Sequence, residues 1–135
     1  MIKIRNPKEL KSFFGEPLIE IERNEEEGTT ERRTLGLARL LRNFISNLRV
    51  EDMTGSERLY DCAQAIREAE KNGNDTIEFN NRDYKWLVNM VAKQAPKLMG
   101  GNAVVLRDAL EDVVTEGENA EDVGAETEET KIDGE

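Results

Sequence analysis

Apolar residues recur at helical spacing in four stretches of this chain and at every second position in two shorter ones. The first alternating stretch, residues 1–5 (MIKIR), reads as a short half-buried strand. Asn6 and Pro7 then read as N-cap and first helical residue of a two-turn helix over residues 7–14, with Leu10, Phe13 and Phe14 on one side and Gly15 as its stop. Residues 17–22 alternate again, with Ile19 and Ile21 facing alike. The two extended pieces are candidates to pair, although a two-stranded sheet is marginal unless something packs on it. Residues 23–33 (RNEEEGTTERR) carry no apolar side chain, which predicts a mobile charged loop.

Helical periodicity dominates from there. Thr34 is the expected cap of a helix reaching about Arg49, with Leu37, Leu40, Leu41, Phe44, Ile45 and Leu48 on its apolar face. Ser56 is the expected cap of a second helix that buries Leu59, Cys62, Ala63, Ile66 and Ala69 and stops at the turn formers of residues 71–75. Residues 76–79 are short for a strand. Asn80 and Asp83 then resemble a capping box, opening a helix that buries Tyr84, Leu87, Val88, Val91 and Ala95. Pro96 is expected to end or kink it. A last helix, capped by Asn102, aligns Ala103, Leu106, Leu110 and Val113. Beyond Val114 the pattern vanishes, and the density of charge predicts a disordered acidic tail over residues 115–135. The expected fold is therefore mainly α: a small four-helix domain over residues 1–114, with a short extended or β element at the N-terminus and the acidic tail behind it.

Charge sharpens this division. The net charge of −10 is carried mostly by the tail, whose nine acidic residues and one lysine give −8, leaving residues 1–114 at −2. No stretch approaches the roughly 18 consecutive apolar residues of a membrane span. The first residues lack the apolar core of a secretory signal, and a single cysteine excludes an intrachain disulfide framework. A cytoplasmic location is expected, with no membrane partner. The absence of histidine removes the commonest general base and the commonest metal ligand together.

One stretch imitates a metal site. With Ile77 at the apolar position of a calcium-binding EF-hand loop, Glu70, Asn72 and Asn74 fall at the first three ligand positions. However, Asp75 stands where the loop needs glycine, and Asn81 replaces the bidentate glutamate that closes the site, so no metal is expected. Cys62 sits on a core-facing position with nothing nearby to stabilise a thiolate. Gly100 and Gly101 lack the spacing and the lysine of a phosphate loop. No catalytic residue and no cofactor are assigned. Two surfaces remain as candidates. Trp86, Met90, Leu98 and Met99 form a possible apolar contact patch for a protein partner, with ordinary core packing as the alternative. Arg39, Arg42 and Arg49 form a basic helix face able to meet a polyanion or the acidic tail, with a solvated face as the alternative.

The succession IKIRNPKEL…GEPL, TLGLARLLRNF, SERLYDCAQAI, IEFNNRD and APKLMGGNAVVLRDALED resembles small phage-encoded proteins of unassigned role. The format, a helical body with an acidic end, is similar to that of phage tail assembly chaperones. The resemblance implies a non-enzymatic accessory or assembly-chaperone role in virion morphogenesis. It also implies a phage structural protein as partner, the host cytoplasm as location and homo-oligomerisation as an option. The competing expectation is a nucleic-acid-linked regulator whose arginine face is gated by the tail, although nucleic acid is the less expected partner of a net-negative body.

Overall fold

The computed structural model describes residues 1–114, so the expectation of a disordered tail lies outside the described residues. The elements run β1 (Ile2–Arg5), β2 (Ile19–Asn24), β3 (Thr29–Thr34), α1 (Leu37–Ser46), α2 (Met53–Asn72), β4 (Thr76–Phe79), α3 (Asn81–Met99) and α4 (Asn102–Leu110). The four helices stand as expected, but the mainly-α class does not. Among the described residues, with 51% helix and 20% strand and two separate antiparallel sheets, the fold mixes both kinds of element.

The two alternating stretches do not pair with each other. β1 pairs with β4, bringing Ile2 opposite Phe79 and Ile4 opposite Ile77 on the face that points into the core. Lys3 and Glu78 pair on the outer face, 3.6 Å apart. Residues 112–114 return along the other edge of β1: Val114 donates to the Lys3 carbonyl at 2.8 Å and Arg5 to that of Asp112 at 3.0 Å. β2 instead pairs with β3, so the expected charged loop is most of a β-ribbon. Its turn is made by Asn24, whose side-chain oxygen accepts from the amides of Glu26 and Glu27, and by Gly28 at φ 67°.

No helix forms over residues 7–14. A two-turn helix is marginal by itself, and its backbone groups are taken by distant partners instead. The Pro7 carbonyl accepts from Leu37, and the Leu10, Leu18 and Leu35 backbones bond in a ring, Leu10 to Leu35 at 3.1 Å, Leu35 to Leu18 at 2.8 Å and Leu18 to Leu10 at 2.8 Å. This ring clamps the base of the ribbon to the body.

Asn6 is not the cap of a local helix. It is buried, and its side-chain oxygen accepts from the Ala38 amide, 3.2 Å away, at the start of α1. The N-cap residue there is Gly36, which has no side chain to offer, so Asn6 supplies the missing cap from 32 residues upstream. Its amide group donates to the Asn74 carbonyl at 2.9 Å, joining α1, β1 and the turn after α2. Gly36 is required for a second reason: a Cβ there would lie 2.9 Å from the Pro7 carbonyl oxygen.

The remaining helix starts differ by a few residues. Thr34 closes β3 rather than capping α1, and α2 is capped by Asp52, which accepts from Gly55 at 2.8 Å, ahead of Ser56. Asn80 caps α3 as expected, accepting from Asp83 at 2.7 Å. Pro96 does not end α3, which continues to Met99. Gly101, not Asn102, precedes α4, and the Asn102 side chain accepts from Phe13 instead. One core joins the helices to the inner sheet. Leu37, Leu40, Leu41, Phe44 and Ile45 of α1 meet Cys62, Ile66, Leu87, Val91, Leu106 and Leu110, with Ile4, Ile77 and Phe79 beneath. Each large side chain contributes about 1.5–3 kcal/mol by its burial.

Candidate functional site

The ribbon is the least buried element. Eleven of its twelve strand residues are exposed, and Glu20 is the exception. Glu20 is held by Arg39 of α1, whose Nε lies 3.0 and 3.1 Å from the two carboxylate oxygens. On the other face Ile19 and Ile21 stand opposite Thr34 and Arg32, with 46% and 61% of their surface exposed. Phe13 and Phe14 are also exposed, their rings 4.3 Å apart in the tight turn before β2. The ribbon as a whole carries six glutamates and three arginines.

A second surface lies where the α1–α2 connection meets the C-terminal half of α3. Gln94 binds the Arg49 backbone at both ends, accepting from its amide at 3.1 Å and donating to its carbonyl at 3.0 Å. Arg49 is thereby fixed beside Lys93, Lys97, Glu51 and Leu98, around an open cleft of about 540 Å³.

The expected site residues are dispersed by the fold. Trp86 and Met99 pack against the core, Met90 is half-buried, and Leu98 alone of the four is exposed, at the cleft. The arginines separate as well: Arg39 holds Glu20, Arg42 holds Glu70 at 3.3 Å, and Arg49 belongs to the cleft. Of the two expected groups, the fold brings Leu98 and Arg49 to one cleft, and Gln94 touches both the Arg49 carbonyl and the Met90 sulfur. Sequence reasoning missed the ribbon and Gln94. The ribbon's signal was Ile19 and Ile21 facing a strand-length polar run of threonines with glycine in the turn; Gln94 had none.

The polar groups inside the fold are arranged for structure. Asp83 is 3% exposed, and its Oδ1 has no hydrogen-bond partner, while Arg58 lies 3.7 Å away. Burial, reinforced by Asp61, raises its pKa above the ordinary 3.8, against the smaller pull of Arg58, Arg82 and the Asn80 hydrogen bond. Cys62 is fully buried and its thiol is pushed up to about 12, mainly by burial and then by Asp83 and Asp61, the reverse of what a nucleophile needs. Tyr84 donates to the Leu110 carbonyl at 2.6 Å, tying α3 to the end of α4.

The residues of the imitation calcium loop have other partners. Glu70 receives Arg42, and Asn72 donates to Glu68 at 2.9 Å. The Asn74 carbonyl receives Asn6. Gly73 at φ 63° with the Asn74 amide on the Ala69 carbonyl makes a left-handed helix stop. None of the described helices is long and apolar enough to cross a membrane. No protein-family model, curated protein or solved structure matches the chain, so the account of its function rests on its own geometry.

Proposed function

We propose that the chain is a non-enzymatic protein-interaction module whose contact element is the ribbon β2–β3. The observation that carries this reading is the exposure of Ile19 and Ile21 on an element that contributes almost nothing to the core. A two-stranded ribbon has little stability of its own, yet this one is anchored at its base by the leucine ring and by Arg39. Its free strand edges and its two exposed isoleucines match what β-strand addition or a hydrophobic contact uses. Its net charge of −3 favours a protein over a nucleic acid. The finer role, an accessory or assembly chaperone in phage virion morphogenesis, rests on the sequence resemblance alone.

The test places a photo-crosslinking residue at position 21 and, as control, at Lys71 on the body. In the native host, one discrete protein adduct specific to position 21 is expected, lost when Ile19→Ser is added. Equal adducts from both positions, or none from position 21, would contradict the reading.

A further inference from the structure

We propose that the cleft of Arg49, Lys93 and Lys97 is a docking site for the acidic segment 116–123 of the same chain. This is independent of the ribbon and rests on which cations are already occupied. Arg5, Arg33, Arg39, Arg42, Arg58 and Arg107 each face a carboxylate within 4.0 Å. Arg49, Lys93 and Lys97 have no ion-pair partner among the described residues, and against them the cleft sets Glu51 alone. The other large surface concavities differ. The one beside Arg42, Arg67 and Lys71 already contains Glu68 and Glu70, and the one at the ribbon tip is lined by Glu22, Glu25, Glu26, Glu27 and Glu31. Other unpaired cations lie elsewhere on the surface, but of these three concavities this is the one that sets three of them against a single carboxylate.

The geometry of the cleft suits a peptide. Gln94 holds the Arg49 backbone at the cleft, and Leu98, 47% exposed, adds an apolar contact at the rim. Segment 116–123 carries Glu116, Glu118, Glu121 and Asp122 with no cation, followed by Val123. Glu121 and Asp122 meet the cations and Val123 meets Leu98, with Glu116 and Glu118 along the approach.

Reach is sufficient. The described chain ends at Val114, whose amide bonds to Lys3 of β1, opposite Glu78 of β4 and so beside the start of α3 at Asn81. Lys97 lies sixteen residues beyond Asn81 along α3, about 24 Å at the helical rise of roughly 1.5 Å per residue. An extended chain covers that in about seven or eight residues, which brings residues 121–123 within reach of the cleft. Coulomb attraction between several charges at short range survives at low salt and is screened as the Debye length falls from about 10 Å at 0.1 M towards 3 Å at 1 M.

The test is zero-length carbodiimide coupling of carboxylates to lysines in the full-length protein, read by peptide mass spectrometry. An equal mixture of normal and heavy-isotope chains distinguishes links within a chain from links between chains. Tail carboxylates are expected to couple to Lys93 and Lys97 at least several-fold more than to Lys8, Lys11, Lys71 and Lys85. The links should join like-labelled chains and fall away near 0.5 M salt. A Glu118→Gln, Glu121→Gln, Asp122→Asn variant keeps remaining carboxylates for coupling and should lose the preference. Even coupling over all lysines, no coupling at all, or links only between differently labelled chains would overturn the proposal.

Discussion

The described residues form two antiparallel sheets of two strands each, and they have opposite fates. In the inner sheet, Ile4 and Ile77 are wholly buried and Phe79 is 1% exposed. In the ribbon, Ile19 and Ile21 remain largely in solvent. The leading strands are alike, IKIR in one and IEIE in the other, each with isoleucines two apart. What differs is the partner. β4 places Ile77 and Phe79 opposite the isoleucines of β1, so a continuous apolar face forms and α2 and α4 cover it. β3 places Thr34 and Arg32 opposite those of β2, so no such face exists for a helix to cover. Alternation specifies a strand; the cross-strand neighbour decides whether it becomes core.

That contrast can be broken most sharply by truncation in the inner sheet. Phe79→Ala should cost about 3–5 kcal/mol in chemical denaturation, whereas Ile21→Ala should stay within about 0.5 kcal/mol. Equal losses would erase the distinction. Next in size is the clamp that seats the inner sheet against α1. Asn6→Ala removes the distant helix cap and leaves the Ala38 amide and Asn74 carbonyl short of partners, for an expected loss of about 1–3 kcal/mol. Asn6→Asp should recover the cap but not the bond to the carbonyl.

The smallest effect concerns Asp83, in the first turn of α3 just after β4. Because its folded pKa lies above the ordinary 3.8, the folded chain holds this proton more tightly than the unfolded one. The associated stability is full below about that value and is lost as pH rises through the folded one. Urea midpoints of the wild type between pH 4 and pH 7 should therefore carry a descending contribution that Asp83→Asn removes. An unchanged profile in the variant would show that Arg58 already compensates the buried carboxylate.

Much of the body was legible from sequence because long helical periodicity has few competing explanations. The apolar faces of α1 to α4 were read nearly residue by residue, and the asparagine cap of α3 was read correctly. Short elements are legible only in part: β1 and β2 stand on the two alternating stretches, but they do not pair with each other. Residues 7–14 carry every local sign of a helix, including an N-cap, a proline and a terminal glycine, yet Asn6 caps α1 instead, a bond visible only once the chain has folded. β3 reads as loop in the sequence because TTERRT has no apolar residue to alternate, even though threonine favours extended backbone. The candidate site was legible only in part for the same reason. Arg39 and Arg42 look available in sequence, but Glu20 and Glu70 arrive from distant segments, and the cleft around Arg49 depends on a glutamine 45 residues away.

The central claim is that the ribbon is an arm clamped to the fold rather than a part of its core, and native-state hydrogen exchange tests it most directly. The hydrogen-bonded amides of β1 and β4 should open only with global unfolding. Those of β2 and β3 beyond the leucine ring should exchange through a separate local opening, with protection lower by roughly 100-fold or more. Equal protection in the two sheets would contradict the account, because it would mean that the ribbon opens only when the core does.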